Sequence, residues 1–387
     1  MPPRPRPGPR RAPGVYDRRV GVPGRWAATV LAAVALVAGC TPYGAPPASG
    51  IRDAVEAHRR PALGGAPLAS WTYRVLAVRQ DGRRASVDAE LTYALDGYDR
   101  APATARRRLD LAERDGRWRV TGDRPAQGQP AQLWDHGPVR AVRGARSLVL
   151  GVGHPPARLG EVAAAADRAV PAVTAAWPGG PWRGRVVVLV PRSLDAMAAL
   201  LGEAPAAYRG TAAVTTGRTG GGAADRVVVN PEAYRELGDF GRDFVLAHET
   251  AHVATRDATT AATPRWLSEG LADRIAYRGT GRTAAEGAPE LARAVRAGNG
   301  PAGLPSDADF SFGGDPAVVA RAYGGAWLAC ELIADRWGEE RLADFYRAAG
   351  RSGERRAFRD VLATTPEGFT RLWRDRLRQE FSSASSR

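Results

Sequence analysis

Two short segments constrain this chain of 387 residues more than anything else in it: His248-Glu249-Thr250-Ala251-His252, and Trp266-Leu267-Ser268-Glu269-Gly270-Leu271-Ala272-Asp273. On an α-helix, positions i and i+4 share one face, so His248 and His252 present two imidazoles to a common point. Glu249 stands roughly 100° further round, where its carboxylate can serve whatever the imidazoles hold without binding it. Two imidazoles leave a tetrahedral ion short of ligands, so a second rigid element has to close the site. Thr263-Pro264 reads as an N-cap followed by proline at the first helical position, starting a helix that carries Glu269. Glu269, seventeen positions past His252, is the anionic candidate for a third ligand. Asp273, one turn on, can accept the free N–H of a ligating histidine and fix its tautomer. The bland alternatives are a solvated carboxylate at Glu269 and, at Asp273, a surface charge paired with Arg274 or Arg278. The chain has only five histidines, so a chance HExxH is expected on the order of once in several hundred such sequences.

His248-Glu249-x-x-His252 followed by Trp266-Leu-x-Glu269-Gly-x-Ala-x resembles the gluzincin family of zinc peptidases, the thermolysin-like and aminopeptidase-like clan, over residues 243–278. The resemblance implies zinc bound by His248, His252 and Glu269, with Glu249 as general base. Asp273 matches the family's aspartate that bonds the first histidine. Zinc on two neutral imidazoles and one carboxylate keeps a position for water, lowers its pKa towards about 7 and polarises a substrate carbonyl. Glu249 then takes the water's proton and passes it to the leaving amine. The oxyanion needs a further donor, and no histidine follows His252. Related aminopeptidases carry a Tyr-x-x-Gly-like segment for this, which points to Tyr323 in Ala322-Tyr323-Gly324-Gly325-Ala326-Trp327, at the start of a long apolar helix ending at Gly338. Here the glycines follow the tyrosine immediately, so a tyrosine packed between helices with its hydroxyl on backbone is the alternative. Tyr277, one turn beyond Asp273, is a rival. The Gly-x-Met-Glu-Asn type of element with which those aminopeptidases bind a free amine is not found, which favours internal cleavage of a peptide or protein substrate. A second reading keeps the fold without the chemistry: a catalytically silent gluzincin-fold lipoprotein that binds or scaffolds. The complete ligand set and the intact Glu249 favour the enzyme.

Residues 1–39 hold seven arginines and one acid, and an apolar stretch of thirteen residues, 26–38, ends before Gly39-Cys40. A lasting bilayer span needs about 20 apolar residues, so this stretch is too short for one. It resembles a bacterial lipoprotein signal with Cys40 as the lipidated residue, placing the protein at the extracytoplasmic face of the cell membrane. With residues 1–39 set aside the net charge falls from +14 to +8, every basic residue is arginine, and no dense basic helix with interleaved aromatics appears. No nucleic-acid partner is therefore expected, and the sequence leaves the oligomeric state open. Cys330, alone once Cys40 carries lipid, is expected to be a buried thiol.

The fold class expected is α+β. Residues 40–50 read as a Pro/Gly/Ser linker. Residues 51–125 combine a helix over 51–60 with alternating strands over 70–78, 84–95, 106–112 and 118–121, joined by turns at Asp81-Gly82 and Asp115-Gly116. This pattern resembles a nuclear-transport-factor-like cone domain and reads as a spacer or binding module; His58 and His136 have no ligand-spaced partners in it. Residues 126–145 read as a linker. Residues 146–387 read as the gluzincin-type domain, with strands over 147–152, 184–191, 211–216 and 226–230, a helix over 159–176, the zinc helix, and a helical C-terminal part whose last helix starts at Thr365-Pro366. Residues 217–224 are glycine-rich and read as a hairpin tip, since they lack the lysine of a phosphate loop. The lipid assignment carries its own test: wild-type protein should fractionate with membrane and show globomycin-sensitive processing. Cys40→Ala should lose palmitate label and stay unprocessed or be released, and label retained on Cys40→Ala would exclude the anchor.

Overall fold

The period-two alternation read from residues 70–121 produces a four-stranded antiparallel meander in the order β1-β2-β3-β4, made of Leu68–Asp81, Arg84–Leu95, Ala103–Arg114 and Arg117–Pro125. The computed structural model describes residues 48–58, 61–178, 180, 182–216, 224–311 and 315–382. The signal over 1–39, Cys40, most of the 40–50 linker and nearly all of the glycine-rich tip lie outside the described residues. On β2, Ala85, Val87, Ala89 and Leu91 point to one face and are buried, and Leu109 and Leu111 of β3 join them. The first helix, α1 (Ala48–Glu56), adds Ile51 and Val55, spaced i and i+4, to that core. The β3–β4 turn has both central residues, Asp115 and Gly116, at positive φ, as a tight two-residue hairpin requires. The β1–β2 turn is shifted by one: its loop is Gly82-Arg83, with Asp81 paired to Arg84.

The second sheet has the order β5-β6-β7-β9-β8, made of Val139–Arg143, Ser147–Val152, Val186–Val190, Val227–Val229 and, at the edge, β8 (Ala213–Thr215). Its inner strands β6, β7 and β9 run parallel and its outer strands antiparallel. Parallel strands covered on both faces read as unbroken apolar runs, and Val186–Val190 is one. Residues 126–145 are not a plain linker: a 3-10 turn, Leu133–His136, precedes β5 within them, so this sheet begins at residue 139 and not after 146. The reason is burial, since Leu133 and Val139 pack with Leu63, Leu95 and Val187 in a seam between the two sheets. Ionic pairs also tie the β2–β3 loop to the rest of the protein. Arg226 holds Asp99 through two hydrogen bonds of 2.5 and 2.7 Å, both side chains nearly inaccessible, and Arg100 pairs with Asp257. Inside the meander, Arg107, 1% exposed, binds Asp123 at 2.7 Å and both oxygens of Asp135.

Behind the second sheet lie α2 (Pro156–Ala176) and α4 (Pro231–Glu236), while α3 (Leu194–Leu201) packs Met197 and Ala198 on Val228 of the opposite face. Helix α5 (Asp239–Thr255) joins two cores: Leu246 and Ala247 pack against the sheet and α2, and Ala251 and Ala254 against the helical half. That half comprises α6 (Arg265–Tyr277), α7 (Ala284–Gly287), α8 (Pro289–Arg296), α9 (Pro316–Trp337), α10 (Glu339–Ser352), α11 (Glu354–Leu362) and α12 (Pro366–Ser382). The cap of α6 differs from expectation by one residue. Pro264 is the N-cap and the helix starts at Arg265, because the Thr263 hydroxyl is taken by the Thr260 N–H in the preceding turn. Helix α9 begins at Pro316, capped by Asp315, which puts Tyr323 two turns inside it and not at its start. Thr365 caps α12 as expected, accepting from the Gly368 N–H.

Two features fix α6. Trp266, 2% exposed, lies among Phe345, Phe358 and Phe369 and donates its indole N–H to Glu354 at 2.8 Å. Gly270 brings the helix against α9: a Cβ there would stand 2.2 Å from the Ala326 carbonyl oxygen and 3.0 Å from Cys330 Sγ. Because the obstacle is backbone, it cannot turn aside. Gly270→Ala should therefore lower stability by about 1–3 kcal/mol despite alanine's better helix propensity, read as a drop in the thermal midpoint. A midpoint equal to or above wild type would show that the two helices tolerate separation.

Candidate metal centre

Helices α5 and α6 cross with their polar faces together, and the two sequence segments meet there. His248 Nε2 and His252 Nε2 lie 3.1 Å apart, and Glu269 Oε2 lies 3.3 Å from the first and 3.4 Å from the second. Ligand atoms around a tetrahedral ion with bonds of about 2.0–2.1 Å stand about 3.3–3.4 Å from one another, so these three atoms already have the spacing of one face of such a tetrahedron. His248, His252 and Glu269 could hold a metal ion. The donor set, two imidazoles and a carboxylate, suits a borderline divalent cation.

The surroundings fix the ligands' orientation. Asp273, one turn beyond Glu269 on α6, accepts from His248 Nδ1 at 2.8 Å, which leaves Nε2 to face the cluster. Arg274 and Arg278 do not compete for Asp273; Arg274 is held by Glu331 and Glu339, and Arg278 approaches Glu339. His252 is held less firmly, with Ser268 Oγ 3.5 Å from its Nδ1, long for a hydrogen bond. Burial opposes charge on His248, but its hydrogen bonds to Asp273 and Glu269 outweigh it and raise its pKa well above the ordinary imidazole value. Burial also acts against charge on Glu269, and there the two histidines prevail and hold the carboxyl well below its usual range.

Glu249 lies beside the cluster and is itself buried. Its carboxylate Oε2 accepts from the Thr215 hydroxyl at 2.6 Å, and its backbone oxygen lies 3.0 Å from the same hydroxyl. Thr215 ends the edge strand β8, and the sequence reading did not single it out. The only available signal was its place in a short polar run before the glycine-rich stretch, which says nothing about a contact 34 residues away.

Two cavities meet at the cluster. A cleft of about 860 Å³ is lined by β8, His248, Glu249, His252, Ser268, Glu269, Phe310 and Tyr323 among others. A side cavity of about 320 Å³ lies towards Phe244, Val245, Tyr277 and Pro289 and shares His248, Glu249 and Tyr323 with the cleft. The two tyrosines differ sharply. Tyr277 stacks on Trp327 at 4.2 Å and donates its hydroxyl to the Gly287 carbonyl at 3.1 Å. The Tyr323 ring packs edge-on to Phe310, 6.3 Å from the His248 ring, and among the described residues its hydroxyl has no hydrogen-bond partner. Burial, with Glu269 and Asp273 close by, pushes the Tyr323 phenol far above its ordinary pKa, so it keeps its proton and can donate. Cys330 is buried against the Leu267 carbonyl, away from the cluster's donor atoms. His58 meets Asp123 and His154 the Pro191 carbonyl, in other parts of the molecule.

No protein-family model matches the sequence, and no curated protein matches it. Among solved structures, yeast LTA4 hydrolase is similar at a TM-score of 0.37 and 15% identity, over 68% of this chain and 42% of that one. The chain thus spans less than half the length of that structure.

The geometry makes a direct prediction about metal content. Purified protein should carry close to one divalent ion per chain by elemental analysis, and Glu269→Gln should weaken retention by removing the anionic ligand. Metal content unchanged in a His248→Ala, His252→Ala double variant would remove these residues from the site.

Proposed function

We propose that this chain is a zinc peptidase that cuts peptide bonds in peptide or protein substrates, held at the extracytoplasmic face of the membrane by lipid on Cys40. The observation that carries the reading is the convergence of His248, His252 and Glu269 with Glu249 beside them and Asp273 behind. A zinc ion held by His248, His252 and Glu269 would supply Lewis acidity to the scissile carbonyl and to the attacking water.

The chain's own residues do the rest. Asp273 keeps His248 in the tautomer whose Nε2 lone pair is free. Glu249 takes a proton from the attacking water as the oxygen joins the carbonyl carbon, and returns it to the amine nitrogen as the C–N bond breaks. The Thr215 hydroxyl occupies one oxygen of Glu249, which holds the carboxylate in one orientation and leaves the other oxygen for the water. The Tyr323 O–H donates to the oxygen on which negative charge develops. Among the described residues the edge strand β8 pairs with β9 alone and flanks the cleft, so an extended substrate can pair along its other side while its side chains alternate between cleft and solvent.

The test separates chemistry from structure. Glu249→Gln preserves size and should leave zinc content and thermal midpoint nearly unchanged, while cleavage of any peptide cut by wild type falls by about 10² to 10⁴-fold. Tyr323→Phe should cost about 10²-fold, whereas Tyr277→Phe should alter stability more than rate. Thr215→Val should cost about tenfold and Thr215→Ser little. Full activity in Glu249→Gln would remove this mechanism. A zinc-loaded wild type that cleaves nothing in a mixed peptide library would leave a binding or scaffold lipoprotein.

A further inference from the structure

The cleft wall carries a cation that the chemistry above does not use. Arg265 opens α6 four positions before Glu269, so the two side chains share one helix face about 6 Å apart along the axis. Both line the cleft. The Arg265 guanidinium lies over the Phe310 ring at 5.7 Å, and Phe310 meets Tyr323 edge-on at 5.2 Å. Among the described residues no carboxylate lies within 4.0 Å of this guanidinium, and none of its N–H groups has a hydrogen-bond partner. Arg256, the other arginine among the described residues that line the cleft, is matched with Asp225. Asp307 does approach Arg265, but its carboxylate takes the backbone N–H at 2.9 Å.

A half-buried, stacked guanidinium with its fork unoccupied is built to receive a planar anion, since its paired donors match the two oxygens of a carboxylate. The aromatic face beneath it limits the rotamers it must give up on binding. Resting on the peptidase reading above, we propose that Arg265 binds a carboxylate of the substrate, from an Asp or Glu side chain or from a free C-terminus. The helical rise and the reach of the side chain put that carboxylate about two to three extended residues from the scissile bond, at about 3.3 Å per residue. The protein then favours acidic peptides, or peptides cut near their C-terminal end, over neutral ones.

One peptide sequence from a mixed library, chosen because wild type cleaves it or, if it cleaves none, because the protein binds it, tests this in three forms: neutral with an amidated end, the same with one Glu walked across the three positions on either side of the cut or of the peptide's midpoint, and the same with a free C-terminal carboxylate. Cleavage by wild type, Arg265→Gln and Arg265→Lys is measured, and the Kd of each labelled peptide for Glu249→Gln protein with and without Arg265→Gln. Wild type should prefer one carboxylate form. Arg265→Gln should lower kcat/KM for that form about 10- to 100-fold, chiefly through KM, with a parallel rise in Kd and under about threefold change for the neutral form; Arg265→Lys should restore part of the preference. Whether the Glu-bearing or the free-ended peptide responds identifies the source of the carboxylate. Equal losses on all three forms, or no carboxylate preference in wild type, would overturn the assignment while leaving the peptidase reading intact. A carboxylate preference in Kd that Arg265→Gln abolishes, in a protein that cleaves none of the peptides, would uphold Arg265 and end the peptidase reading.

Discussion

The hydrogen bond between His248 and Asp273 ties α5 to α6, and the centre of the molecule depends on it. Four ionisable groups, His248, His252, Glu269 and Asp273, are gathered half-buried to buried at the floor of the cleft and its side cavity, and such groups persist away from bulk water only if they satisfy one another. Asp273 meets that condition for His248, and the histidines meet it for Glu269. Close approach of the two helices is a precondition, and it is set from behind, by Gly270 against α9 and by Trp266 within the aromatic cluster of α10 to α12. The polar site is thus positioned by α9 to α12, which contribute no candidate metal ligand to it.

The sheet half has a different role. It holds the base. Thr215 on β8 bonds Glu249, while α5 carries that residue between the two cores. The candidate ligands, Glu249 and Tyr323 are all borne on helices, and Glu249 is in addition steadied from the strand edge by Thr215. Small displacements of β8 relative to α5 would be felt at Glu249 before they reached the ligands.

What the sequence disclosed follows from the range of the signals. The i, i+4 spacing of His248 and His252, the alternation on β2, and the apolar run of β7 are local periodicities, and each matches an element in the structure. The 147–152 and 84–95 boundaries fell on β6 and β2 themselves. Contacts that depend on packing were not legible. Nothing near Thr215 announces Glu249, and nothing near Tyr277 announces that Trp327 and Gly287 take its ring and hydroxyl while leaving Tyr323 open. The strand at 139–143 was hidden in a polar stretch because only alternate residues of it face the seam, and the α6 cap moved because Thr263 had a nearer donor in Thr260.

The seam between the two sheets has one more consequence. Asp99 and Arg226 are removed from water on opposite sides of it, one on the loop after β2 and the other at the start of β9, next to the strand that holds Glu249. Cutting the chain at residue 126 to obtain the helical and mixed-sheet part alone would leave a guanidinium without its counter-ion and strip the apolar cover from Leu150 and Val187. The front meander therefore behaves as a wall of the same building and not as an interchangeable porch, and a gene fusion or domain exchange at that boundary would disturb the neighbourhood of Glu249 without altering any residue of the cleft.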